Sequence, residues 1–247
     1  MPKSKRNKVV SLTKVKKKTK EWKGDKITAT RNFVDEFPSV YLFRYENMRN
    51  ESFKSFREDQ KEHSRFVMGS NKVLRVALGH GEEDEYKKGL SALAEDISGS
   101  IGLFFTRLPE DQVLKLFEEF EDLDYARAGS QATEDFDLAE GPLSGPTGPL
   151  PHTVEPTLRK YGLPTRLKKG VVELVSDFVV CQQGDTLTSN QAALLRVFDV
   201  KMAAFRMYPV GCWLAEDEHY HRFEQPQTAS VGPHQDAPAL MEEMQEQ

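Results

Sequence analysis

Cysteine is scarce in this 247-residue chain, which has only Cys181 and Cys212. Two thiols exclude a disulfide framework and a Cys-rich zinc site, and point to a reducing compartment. No stretch approaches the roughly 18 consecutive apolar residues of a membrane-crossing helix. The opening Met-Pro-Lys-Ser-Lys-Arg has no apolar run behind it, unlike a secretory signal. There is no Gly-x-x-x-x-Gly-Lys-Ser/Thr phosphate loop. Gly79-His80-Gly81 lacks both the third glycine and the leading strand of a dinucleotide fingerprint. No paired carboxylates stand out for acid–base work. With no visible carrier of catalysis, the chain reads as a non-enzyme with no cofactor, metal, membrane or small-molecule substrate.

What is present is charge, unevenly spread. The net charge of −5 combines +9 on residues 1–23 with −14 on the remainder. The leader holds ten Lys/Arg, among them Lys14, Lys16, Lys17 and Lys18, against the single acid Glu21. Like charge at that density repels itself and buries nothing, so residues 1–24 read as a disordered arm whose natural partner is a polyanion. A nuclear address is the plainer reading, and the two are compatible.

The body alternates helices with short apolar strands. Ile27, Phe33, Val34 and Phe37 share a face of a helix over Asp25–Phe37, stopped by Pro38. Val40–Phe43 reads as a buried strand, and Asn50 caps a helix to about His63. Phe66–Met68 is a second strand, ending at Gly69. A third helix opens at Ser70 or Asn71 and ends at Gly79. Glu82–Asp96 reads as a fourth helix, Ile101–Phe105 as a third strand, and a helix with Val113, Leu116, Phe117 and Phe120 follows; Tyr125–Ala128 is a further strand candidate. This order predicts an α/β sandwich.

Composition shifts after Gly129. Six of the thirteen prolines fall in 137–164, which suits a loop-rich start to a second unit. Val171–Val175 and Phe178–Cys181 read as a hairpin-like pair, and Thr188 with Gln191 forms a capping box opening a helix. Ala203–Tyr208 is a last strand that returns to the first sheet, making residues 129–200 an insertion. Residues 214–247 read as a disordered tail. His219-Tyr220-His221 could grip a metal, though such a pair in a polar stretch is more often incidental. Cys181, in an apolar strand, reads as an inert core thiol.

The strongest candidate site lies between Asn47 and Arg75, a locally basic stretch in an acidic body. Gly69-Ser70-Asn71-Lys72 joins a strand to a helix. Free amides at a helix start, with Lys72 beside them and Arg75 one turn on, suit phosphate oxygens. An ordinary strand–helix turn with a surface lysine is the alternative.

Several segments then occur in a specific order: Asn47-Met-Arg-Asn50, Gly69-Ser-Asn-Lys-Val73 with Val76-Ala-Leu-Gly79, Ile101-Gly-Leu-Phe-Phe-Thr106, Asp124-Tyr-Ala-Arg-Ala-Gly129, Gly162-Leu-Pro-Thr165 and Lys169-Gly-Val-Val172. With the basic opening, they make the chain resemble, over about residues 1–213, the mRNA-turnover-protein-four family. These are ribosome-assembly relatives of the large-subunit stalk-base protein, the acidic P-zero or L-ten family. The resemblance implies an α/β sandwich RNA-binding domain (25–128 plus 201–213) interrupted by a smaller α+β insertion domain (129–200). It implies binding to large-subunit rRNA at the stalk base, the GTPase-associated region, in nucleolar and nuclear pre-60S particles, with shuttling to the cytoplasm. Neighbouring large-subunit ribosomal proteins are the implied partners, and the mature stalk-base protein is the implied replacement. The RNA-facing set carried over is Asn47, Arg49, Gly69, Ser70, Asn71, Lys72 and Arg75, with Lys14, Lys16, Lys17 and Lys18 reaching along the RNA. Ser70 stands where many relatives have Lys. A mature stalk protein or an mRNA-turnover factor is the alternative. The recruitment helices of a stalk-base protein are not seen after the insertion, which favours a placeholder.

Overall fold

A computed structural model describes residues 19–81 and 83–223. In chain order the first unit contains α1 (Lys20–Glu36), β1 (Ser39–Glu46), α2 (Asn50–Asp59), β2 (Ser64–Val67), α3 (Asn71–Leu78), α4 (Leu90–Glu95), β3 (Ile101–Thr106), α5 (Glu110–Glu119) and β4 (Glu121–Asp124). The second contains β5 (Phe136–Leu138), β6 (Gly141–Pro142), β7 (Ser144–Gly145), β8 (Gly148–Pro149), α6 (Glu155–Lys160), β9 (Thr165–Lys168), β10 (Val171–Leu174), β11 (Phe178–Cys181) and α7 (Ser189–Val197). The chain then returns through β12 (Ala203–Leu214) and β13 (His219–Arg222).

The main sheet runs β13-β12-β1-β3-β2, with β4 beside β13 on the outer edge of β12, and every ladder is antiparallel. Side chains alternate across a strand, and β1 and β3 use both faces. Val40, Leu42, Leu103 and Phe105 pack with Val34, Phe37, Leu74, Leu78, Leu90 and Leu93 from α1, α3 and α4. Tyr41, Phe43 and Phe104 pack on the opposite face with Phe53, Phe56, Val113 and Phe117 from α2 and α5. This is the expected α/β sandwich: a sheet between two helical layers. Phe43 lies opposite Gly102 across the ladder, and a Cβ there would sit 2.5 Å from the Phe43 ring, so this position requires glycine.

Because β3 pairs antiparallel with both β1 and β2, those two strands run out at the same end of the sheet, over the start of β3. The first residues of β12 and the last of β4 lie at that end too, with Asp124 opposite Ala203. The chain therefore leaves for the second unit and re-enters from it at adjacent strand ends. The second unit has its own core of Leu143, Leu158, Leu163, Val172, Leu174, Val180 and Leu194. A smaller cluster, including Ala126, Ala132, Leu187, Leu195 and Met202, packs the junction.

Several expectations are corrected. The first helix starts at Lys20, capped by the Thr19 side chain accepting from the Trp22 amide, so the last residues of the 1–24 arm are helical. The helix expected over Glu82–Asp96 is shorter: among the described residues 83–96 only Leu90–Glu95 is helical, entered through Gly89 at φ +82°, and the Glu85 carboxylate accepts from the Gly89 and Ser91 amides instead of extending a helix. The strand near Tyr125 lies at Glu121–Asp124, where β12 offers a partner. The hairpin-like pair is not formed. β10 pairs with β9 and β6, while β11 pairs with β5, because Gly170 at φ +85° closes a tighter turn between β9 and β10. Pro142 and Pro149 lie in two-residue edge strands, which tolerate the missing donor. The expected disorder from 214 does not hold for 214–223. Residues His219–Arg222 form a hairpin with β12, held by Tyr220, whose hydroxyl donates to Asp96 at 2.8 Å and lies over Gly211. Residues 1–18, with Lys14, Lys16, Lys17 and Lys18, and residues 224–247 lie outside the described residues.

Candidate nucleic-acid interface

The turn from β2 into α3 brings Gly69, Ser70 and Lys72 to the surface. Ser70 is the N-cap residue, extended at φ −73° and ψ 141°, and its side chain makes no capping bond. The Val73 and Leu74 amides both donate to the Ser70 carbonyl, at 2.9 and 3.1 Å, which leaves the Asn71 and Lys72 amides as the open positive dipole ends of the α3 start among the described residues. Lys72 stands beside them and has no ion pair among the described residues. Gly69 is not in the left-handed region, and a Cβ there would meet only the Leu74 side chain at 3.8 Å. The turn therefore does not demand glycine, and the missing side chain simply leaves the helix start open.

Two members of the set anchor this corner. The Asn71 side-chain amide donates to the Gly99 carbonyl at 3.1 Å. Arg75 donates to the Ile97 carbonyl at 2.5 Å and is half-buried. Both tie α3 to the loop that leads into β3. They hold the turn in place more than they present charge.

Asn47 and Arg49 lie past the end of β1, at the same end of the sheet. Asn47 takes φ +48°, a conformation Asn tolerates, and its amide donates to the Ala204 carbonyl at 3.1 Å. Arg49 is committed elsewhere. Its Nε lies 2.5 Å from Asp124 Oδ2, its Nη2 donates to the Tyr125 carbonyl, and its side chain is 13% exposed. It clamps the point where the chain departs for the second unit. Among the described residues, the structure thus brings these members of the set to one end of the sheet and leaves Gly69, Ser70 and Lys72 as the freely presented ones.

Sequence reasoning missed a neighbouring feature. A groove of about 1000 Å³ opens between the start of α2, the segment after β4, the exposed face of α7 and Lys201. Arg127, Arg196 and Lys201 line it, and all three are exposed. The Arg196 guanidinium lies 5.6 Å and the Lys201 ammonium 5.8 Å from the centre of the Tyr125 ring. The Tyr125 hydroxyl donates to Asp199, and that bond raises its pKa. The only prior signal was that residues flanking an excursion must meet where it leaves and returns.

The alternative chemical residues fall elsewhere. Cys181 and Cys212 are buried, and burial raises both thiols, Cys212 to about 12. His219 and His221 lie on β13 with ring centres 5.0 Å apart. No group of three or more His, Cys, Asp or Glu suited to a metal occurs among the described residues.

Two family models match in succession: ribosomal protein L10 over residues 18–122, and the insertion domain in the 60S ribosomal protein of L10 type over residues 126–200. The boundary between them coincides with the end of β4. The chain is 41% identical over 218 residues to "Ribosome assembly factor mrt4" of Dictyostelium discoideum, covering 88% of this chain and 95% of that protein. It is 32% identical over 216 residues to the Saccharomyces cerevisiae protein of the same name, covering 84% and 91%. It is also 26% identical over 185 residues to "Large ribosomal subunit protein uL10" of Methanopyrus kandleri, covering 74% of this chain and 50% of that protein. An L10 domain followed by the insertion domain of that ribosomal protein, matched nearly end to end by these factors, shows that the chain belongs to the Mrt4 family of L10-type proteins.

Proposed function

We propose that this protein is a ribosome assembly factor that binds large-subunit rRNA at the stalk base of pre-60S particles. It works without catalysis, in the nucleolus and nucleus, and holds a site that the mature stalk-base protein later takes. The ribosomal association rests on the names of its relatives and their shared L10 domain. The single observation that carries RNA contact is the β2–α3 turn. It presents the Asn71 and Lys72 amides beside a Lys72 side chain that has no ion pair among the described residues, at an exposed corner.

Folded rRNA offers phosphates, 2′-hydroxyls and shape more readily than base edges, and amides with Lys side chains suit those groups. The basic leader adds sequence-independent attraction, and the −14 remainder opposes binding elsewhere on the surface. Two proteins that share one RNA surface exclude each other, so departure of one admits the next. Filter binding of the full chain to the stalk-base rRNA fragment tests the reading. Neutralising roughly six phosphates gives a log–log salt slope of order −4 to −5. A flat salt dependence contradicts it.

A further inference from the structure

We infer that the junction groove is a second RNA contact, in which Arg127, Arg196 and Lys201 engage backbone phosphates so that one RNA bridges both units. The inference rests on the RNA-binding reading above and extends it to residues outside the α3 corner.

Charge comes first. Three carboxylates line the groove: Glu51, Asp122 and Asp124. Asp124 is paired with Arg49, and Asp122 accepts from the Ser52 hydroxyl. Asp199, beside the groove, accepts from Tyr125. Arg127, Arg196 and Lys201 have no ion pair among the described residues. These hydroxyl bonds leave the carboxylates charged, so the four lining cations, Arg49 included, face three lining carboxylates, and Arg127, Arg196 and Lys201 are the ones outside any ion pair among the described residues.

Geometry comes second. Arg196 and Lys201 both lie over the Tyr125 ring, which holds them on one side of the groove. The volume is at the upper end of the roughly 300–1,000 Å³ range of small-molecule pockets, and the lining mixes charged side chains with Ala126, Ala192, Ala193 and Val197. The length of the groove and its exposed cations suit an extended polyanion. The walls come from both units, α2 and the β4 exit on one side and α7 on the other. The groove also lies at the sheet end that carries the α3 turn, so a single RNA can follow both. An acidic protein segment would feel the same field. RNA is favoured because the cations flank an aromatic ring and share one end of the sheet with the phosphate-suited turn, which lies at its opposite edge.

The test substitutes Arg127→Ala, Arg196→Ala and Lys201→Ala together in the full chain. Binding to the stalk-base rRNA fragment is measured from 50 to 200 mM salt. Three lost phosphate contacts make the log–log slope shallower by about 2 to 3, and affinity at 150 mM falls at least tenfold. The melting temperature falls only slightly, because the three side chains are exposed, have no ion pair among the described residues and lose only the two solvent-exposed contacts with the Tyr125 ring. If the wild-type chain binds and the triple variant matches it in slope and affinity, the groove proposal is overturned while the α3 reading stands. If the wild-type chain itself fails to bind, the RNA reading falls and takes the groove with it. If poly-glutamate binds the wild-type chain, loses that binding in the triple variant, and RNA binding is untouched, the groove takes acidic protein and the proposal is overturned.

Discussion

Arg49 is the position where the family resemblance and the geometry assign different work, and replacing it with methionine separates them. Methionine keeps the aliphatic stem and removes the charge. In the folded chain the guanidinium pairs with Asp124 and donates to the Tyr125 carbonyl, with 13% of the Arg49 side chain and 35% of the Asp124 side chain exposed. Removing one partner of a fully buried pair costs about 3–5 kcal/mol. Asp124 can recover water through its exposed third, so the cost here falls to about 2 kcal/mol. For a chain of this size that lowers the melting temperature by roughly 4–8 °C, read by circular dichroism. Because the clamp holds the β4 exit, the Asp124→Asn variant should lose stability of the same order. The double variant should lose less than the two single losses combined. In parallel, the salt slope for the rRNA fragment should not change, because Arg49 offers no free charge. An unchanged melting temperature, with a slope shallower by about one, would refute the clamp and restore Arg49 to the RNA-facing set.

Other consequences are as direct. Lys72→Glu should weaken rRNA binding several-fold without altering the melting temperature, since the side chain is exposed and has no ion pair among the described residues; unchanged affinity removes Lys72 from the site. Gly102→Ala should cost about 1–3 kcal/mol by overpacking, because the new Cβ meets the Phe43 ring; urea denaturation would show it as a lower midpoint. Cys181 and Cys212 should resist iodoacetamide at pH 8 in the native chain and react after denaturation, since burial holds both thiols protonated and inaccessible. Rapid native labelling of either would contradict their core placement.

Legibility in the sequence followed the reach of the interactions. The α3 corner was readable because its causes lie within a few residues: a strand ends, small polar residues follow, and an apolar helix face begins. The Thr188–Gln191 capping box, where each side chain serves the other's backbone, is equally local. The pairing of Arg49 was not legible because its partner is Asp124, a contact that exists only once β4 has joined β12. The helix expected from residue 82 failed because Glu85 prefers the amides of Gly89 and Ser91 to helical continuation. β13 was unreadable because His219–Arg222 is polar. It becomes a strand through β12, with Tyr220 seated over Gly211 and bonded to Asp96. The junction groove draws on positions 49, 127, 196 and 201, which only the excursion and return of the chain bring together.

The most direct measurement is ultraviolet crosslinking of this protein to RNA in living cells, with the bound reads mapped and the crosslinked peptides identified. The account predicts reads concentrated on the stalk-base region of large-subunit precursor rRNA, joined to the peptide bearing Gly69–Lys72. Reads confined to messenger RNA, or an absence of precursor rRNA altogether, would contradict it.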